Sequence, residues 1–246
     1  MQAVSTHKSI IPKSWNVSQT IRQRVGEAVG SQRLIKEEGE ILVLLHRLPS
    51  AEDKGDREAA MFWYDGQGSW KSSPTSGGRS ELRTLVETYR KRLAELDSAL
   101  ESVEDAAVIH RVIDEATPVA RAGRHLTLVI SELRRDLPED LEILAIRDLA
   151  VNMERGGDLL LQDAKSSLDF MIAKNAVAQA KDAQKSAKEA QKLNRLAAFF
   201  FPLMTIAAVF GMNRPGEILA NGGIIVIVIL GLVLGAIFRA SLKKSE

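Results

Sequence analysis

Few residues of this chain are equipped for chemistry. It has no cysteine, which excludes disulfides, thiolate zinc sites and thiol nucleophiles. The histidines, His7, His46, His110 and His125, show no HxxxH spacing and stand in no nucleophile motif. Asp65-Gly66-Gln67-Gly68 holds glycines for a turn and lacks the Lys-Ser/Thr and following helix of a phosphate loop. No ATP site is visible. Two features remain. Lys181, Lys185, Lys188, Lys192 and Arg195 form a basic row on one helical segment. Gly211-Met212-Asn213 places a neutral amide at the end of a long uncharged run.

The elements that would position these residues begin with that run. Residues 196–213 and 218–238 carry no charge. As helices they reach roughly 27 and 32 Å, which matches a hydrocarbon core of ~30 Å. Residues 224–234 are apolar on every face, unlike a buried helix of a soluble core. Only residues 214–217 separate the runs, and Pro215-Gly216 favours a turn there, so the pair reads as a transmembrane hairpin. Basic residues precede the first run, and Arg239, Lys243 and Lys244 follow the second. The positive-inside rule places both termini in the cytoplasm and the short loop outside, as in a multi-pass inner-membrane protein. The mean hydropathy of -0.06 averages over this division and hides it. A net charge of +1 gives no global field for nucleic acid. Gly231 and Gly235 form a GxxxG that permits close packing of the second span.

The remaining chain reads as α+β. Residues 1–17 are a polar, disordered tail without a signal-peptide core. Residues 18–72 form a small α/β unit, with a helix over 18–38 and strands at 41–48, 61–64 and 69–72. Residues 73–80 are a linker by composition. Residues 81–195 form a helical bundle and stalk, interrupted at Pro118 and Pro138, with Gly156-Gly157 as a last weak point. Pro138 and the acidic Glu139, Asp140 and Glu142 mark a helix start. Beyond it a single helix runs from the cytosol into the membrane. Ala176, Ala180, Ala183, Ala187, Ala190, Asn194, Ala197 and Phe201 recur along it at three- and four-residue spacing. Small residues allow close approach of parallel helices around an axis. The basic row reads as a solvated face beside anionic lipid headgroups, or as an electrostatic element near a cation pathway.

Gly211-Met212-Asn213 stands where the first span leaves the membrane, before a short loop and a second span. In this setting it resembles the signature of the CorA-like family of divalent metal-ion channels. Pro202-Leu203, Ile206-Ala207 and Phe210 agree with that family's text, the proline nine residues before the glycine. The close match covers about 190–244, and the rest agrees in architecture.

The resemblance implies a homopentamer in the lipid bilayer, with first spans lining a pore and Asn213 in a ring at its outer mouth. Mg²⁺ sheds its waters reluctantly, and amide oxygens can hydrogen-bond those waters without holding the ion too tightly. Gly211 would allow close approach and Met212 would pack. The family's lining positions fall on Ala187, Ala190, Leu193, Phe201 and Met204, with apolar rings at Leu193, Phe201 and Met204. The family often has a threonine where Met204 stands, and here Thr205 follows, so either residue can face the pore. Glu217 corresponds to the family's acidic outer loop, whereas Arg214 opposes cation attraction. Asp148, Glu154, Asp158 and Asp163 lie on the helix that would carry regulatory metal sites. The implied function is a passive channel for Mg²⁺, with Co²⁺, Ni²⁺ or Zn²⁺ as further cargo and no organic cofactor. A ZntB-like zinc transporter shares the tripeptide, and a non-transporting scaffold or sensor is the alternative of a different class. Nothing points to an enzyme.

Overall fold

The apolar run at 41–48 becomes the second strand of a four-stranded antiparallel sheet. The computed structural model describes residues 10–26, 30–49, 58–100 and 105–212, with Ile229, Gly231, Val233 and Gly235; for 206, 207 and 209–212 it describes the backbone alone. The strands are β1 (Arg33–Glu37), β2 (Glu40–His46), β3 (Ala59–Tyr64) and β4 (Trp70–Ser73), in that spatial order. β2 is buried from Ile41 to His46. Its two faces belong to different clusters. Ile41, Val43 and Leu45 face the helices, whereas Leu42 and Leu44 join Ile11, Trp15, Val17, Ile21 and Val25. A strand covered on both sides shows a continuous apolar run instead of alternation, which is why 41–48 reads as it does.

The chain divides into two compact units, residues 1–172 and 173–246. The first contains the sheet, α1 (Gln19–Arg24), α2 (Arg79–Leu100), α3 (Ala106–Asp136) and the start of α4 (Leu141–Met212).

Three sequence expectations are corrected here. The tail ends earlier than residue 17: Ile11, Trp15 and Val17 are buried, and Trp15 stacks on Trp63 with ring centroids 6.2 Å apart. The helix expected over 18–38 is limited to α1, capped by Ser18, and the rest of that span contains β1. Glu38 and Gly39 both take positive φ (49° and 89°), forming the tight hairpin that pairs Glu37 with Glu40. A β1–β2 hairpin buries Ile35 against Leu42 and Leu44, which outweighs the helical spacing of the preceding residues. Neither Pro118 nor Gly156-Gly157 interrupts a helix. Pro118 lies inside α3, and α4 passes through both glycines. A Cβ at Gly157 would lie 3.1 Å from Leu93 Cδ1 and 3.4 Å from Ala120 Cβ, and one at Gly123 would lie 3.3 Å from Met153. The glycines let α2, α3 and α4 approach closely, and this packing overrides their low helix propensity.

The linker at 73–80 is a pinned turn. Ser72 Oγ accepts from the Gly78 amide at 2.8 Å and donates to the Thr75 carbonyl. α4 starts at Leu141, three residues after Pro138, under a cap from Asp140. Its carboxylate accepts from the amides of Glu142 (3.0 Å) and Ile143 (3.1 Å) and pairs with Arg79 from the start of α2. Arg79 also reaches Glu142. Burial works against ionisation of Asp140, but the Ile143 and Glu142 amides and Arg79 outweigh it and hold its pKa below the usual carboxylate value. A depressed folded-state pKa contributes stability above the unfolded value of about 3.9, lost as pH falls through the folded value. Asp140→Asn retains a capping oxygen but no charge. It should be less stable than wild type by about 1 kcal/mol at pH 7, with the two unfolding curves converging below pH ~3. A gap that persists unchanged at low pH would remove the ionic role.

Candidate ion-pathway helix

The second unit carries the residues singled out by the sequence. From 173 to 212, α4 rises roughly 60 Å. Residues 172–197 are exposed on every side of the helix. Ala187, Ala190, Leu193, Phe201, Met204 and Thr205 are all exposed. At 3.6 residues per turn they fall within an arc of about 120°. Lys181, Lys185, Lys188, Lys192 and Arg195 occupy the opposite arc.

The spacing is stricter than a general small-residue face. Ala173, Ala180, Ala187, Asn194, Phe201 and Ala208 form one seven-residue series. Ala176, Ala183, Ala190, Ala197, Met204 and Gly211 form another, three residues on. Together they are the a and d positions of a heptad repeat. The flanking e and g positions are Val177, Gln184, Gln191, Ala198 and Thr205, and Gln179, Ser186, Leu193 and Phe200. None is charged. Every charge between 173 and 208 falls on b, c or f. A strip four positions wide, free of charge, is wider than a two-helix seam uses.

Within the uncharged run Phe201 and Met204, at a and d, are 74% and 69% exposed, while Phe199 at f, Phe200 at g and Leu203 at c are 53%, 47% and 42% exposed. Ile229, Gly231, Val233 and Gly235 are helical, and both glycines are buried. A Cβ at Gly235 would meet Phe199 Cδ2 at 4.0 Å. Gly235 thus lies beside the f position of α4, while the described a and d side chains are exposed. Phe199 and Phe200 meet edge to face, with centroids 5.4 Å apart. Thr205 donates its hydroxyl to the Phe201 carbonyl at 2.9 Å, leaving the oxygen able to accept a further bond.

α4 is helical to Met212, so Gly211 and Met212 lie in its last turn. Asn213, the loop 214–217 with Glu217, and residues 236–246 lie outside the described residues. Among the described residues no helix is long and apolar enough to cross a membrane. In the first run the described side chains end at Ala208, short of the ~20 residues a span needs.

The carboxylates lie in the first unit, on α4, and do not form one cluster. Glu154 and Asp158 share a face and flank Arg124 of α3, at 4.0 and 2.7 Å. The Asp158 hydrogen bond and charge raise the Arg124 pKa. Asp148 pairs with Arg147 at 3.2 Å, and Asp163 stands a turn beyond Asp158 on a different face. Among the described residues no group of three metal-binding side chains comes together. Arg124 is a charge partner that the sequence does not reveal, because no periodicity links it to residues 30 and 34 positions away. A cavity of about 340 Å³ lies beside α2, lined by Arg47, Glu58, Ser72, Thr84 and Thr88 among others. Three of its hydroxyls are engaged locally: Thr84 and Thr88 donate to helix carbonyls, and Ser72 serves the 73–78 turn.

No protein-family model matches the sequence, and no curated protein matches it. Solved structures do match the fold. The ZntB cytoplasmic domain from Vibrio parahaemolyticus RIMD 2210633 aligns with a TM-score of 0.50 at 10% identity, over 65% of this chain and 80% of that one. The full-length CmaX protein aligns with a TM-score of 0.53 at 13% identity, over 93% of this chain and 82% of that one. The CorA magnesium transporter from Methanocaldococcus jannaschii gives a TM-score of 0.42 at 15% identity. At these identities the first two establish a shared fold: a small sheet with long helices.

Proposed function

We propose that this chain is a subunit of a homo-oligomeric, passive divalent-cation channel in the membrane. One observation carries the reading. An exposed, uncharged heptad face runs along α4 from Ala173 to Met204 and leads to the Gly-Met-Asn tripeptide. The described a and d side chains of that face are exposed in the single chain, and Gly235 of the second helix lies beside Phe199 on f. Copies of the same helix are the natural partners, because the pattern is complementary to itself and keeps every charge outside. The resemblance at the tripeptide makes the ring a pentamer. The axis then passes Ala187, Ala190, Leu193, Phe201 and Met204, with Thr205 at the edge of the arc. It ends at Asn213, with Gly211 and Met212 forming the last turn and Glu217 in the outer loop.

Mg²⁺ is the cargo favoured by a neutral amide ring, which can hold a hydrated ion through its waters. The membrane potential supplies ~4.6 kcal/mol per 100 mV for a divalent ion, so no nucleotide is required. The apolar rings at Leu193, Phe201 and Met204 are constrictions that gate by dewetting. Arg195 and Lys192, at the start of the uncharged run, sit where anionic headgroups would meet the helix. Glu154 and Asp158 are already engaged by Arg124, so any regulatory metal there would have to compete with that pair. Fold likeness to the ZntB cytoplasmic domain keeps Zn²⁺ as the second cargo to test.

The test is uptake by proteoliposomes of the purified full chain under an imposed inside-negative potential. Expected is potential-dependent Mg²⁺ entry, blocked by cobalt hexammine, a mimic of hydrated Mg²⁺. Entry of Zn²⁺ in place of Mg²⁺ would reassign the cargo. Intact oligomers that pass neither ion would leave a scaffold or sensor.

A further inference from the structure

Asn194 is the one polar residue in either core series of the heptad repeat. From the structure we infer that Asn194 is a second ion-selecting residue, an amide ring at the cytoplasmic mouth that contacts the hydrated divalent cation. The inference rests on the channel reading above. It is carried by three observations, of which the first two do not involve the tripeptide.

The first is register. Asn194 occupies position a, between Ala187 and Phe201, and is exposed in the single chain. In a parallel ring the a side chains converge on the axis. The second is coverage. Asn194 is exposed, and among the described residues of the second helix Gly235 lies beside Phe199, on f, away from the a series. The third is depth. Asn194 stands two residues before Leu196, where the uncharged run begins, and 19 residues before Asn213. That is about 28 Å of helix, close to the hydrocarbon thickness of ~30 Å. Neutral amides thus stand at both ends of the uncharged stretch, with apolar Phe201 and Met204 between them.

The chemistry follows from the desolvation problem. A hydrated Mg²⁺ passing from bulk water into apolar rings loses hydrogen-bond partners for its outer waters. A ring of amide oxygens restores them without stripping the inner shell. A lone asparagine at position a also fixes register and oligomer number in coiled coils, at a cost in stability. That structural role predicts a change in assembly and none in ion passage.

Because the chain has no cysteine, Asn194→Cys places a single thiol there. In the full-length oligomer, mild oxidation should give disulfide-linked dimers at 194 and none for Lys185→Cys at f. Cd²⁺ should block Mg²⁺ uptake by Asn194→Cys only. Asn194→Ala should keep the oligomer and lower Mg²⁺ uptake roughly tenfold, the loss of about 1.4 kcal/mol in ion–water hydrogen bonding. Asn194→Ser should recover part of it. Three results would overturn the inference. Uptake by intact Asn194→Ala oligomers within twofold of wild type would make the residue a register device. Loss of assembly in both Ala and Ser variants would do the same. Absence of cross-linking at 194 would remove it from the axis. If wild type passes neither Mg²⁺ nor Zn²⁺, the channel reading fails instead, while cross-linking still reports whether Asn194 lines the axis.

Discussion

Asn213→Ala is expected to lower Mg²⁺ uptake by roughly tenfold or more while the oligomer keeps its mass, since each subunit loses an outer-sphere hydrogen bond worth about 1 kcal/mol. The loss should exceed that at Asn194, because the outer mouth is where bulk Mg²⁺ is first selected. Asn213→Asp separates binding from passage. A carboxylate ring holds a divalent ion more tightly than amides do and releases it more slowly. Maximal uptake should therefore fall, and half-saturation should shift to lower Mg²⁺ concentration. On the channel reading Arg214 would work in the opposite sense: its charge, directly after the motif in sequence, would repel an arriving cation, so Arg214→Ala should raise uptake in low salt more than in high salt. Normal uptake by Asn213→Ala would remove the selectivity ring and leave Asn213 as a helix cap.

The parts of the fold that were legible in sequence are those whose pattern has one physical solution. β2 reads correctly because a strand buried on both faces must be apolar throughout. The long stretch of α4 reads correctly because its repeat never breaks between Ala173 and Gly211. The misread parts are those where local punctuation was overruled by contacts distant in sequence. Gly157 looks like a helix breaker, yet it is the point at which Leu93 and Ala120 come within 3.4 Å of a would-be Cβ. Pro118 removes one hydrogen bond, but α3 is held on both sides by buried Ala116, Val119 and Ala120. Residues 33–37 carry little strand signal of their own, and pairing with β2 makes them one. In the candidate site, periodicity marks a face without saying what covers it. The placement of Gly235 beside Phe199 adds one described contact, on the f side of α4.

Tyr89 offers the largest expected effect on stability. It is fully buried on α2, and its hydroxyl lies 3.1 and 3.0 Å from the carbonyls of His46 and Arg47 at the end of β2. The His46 ring meets the Gly30 carbonyl at 2.8 Å, and the Gln32 side chain spans from the His46 amide to the Ala122 carbonyl on α3. The ring of Tyr89 faces Gly123, where a Cβ would lie 3.7 Å away. One side chain thus fills the space between α2 and α3 and ties the sheet to both. Tyr89→Ala should destabilise the first unit by about 4 kcal/mol, the usual cost of emptying an aromatic site. Tyr89→Phe keeps the volume and removes the hydroxyl from the His46 and Arg47 carbonyls, at about 1–2 kcal/mol. The measurement is well placed, because all three tryptophans, Trp15, Trp63 and Trp70, lie on the sheet or packed against it. Tryptophan fluorescence during urea unfolding of the detergent-solubilised full chain therefore reports the first unit alone. Equal losses for the two variants would show that the hydroxyl, not the ring, holds the helices to the sheet.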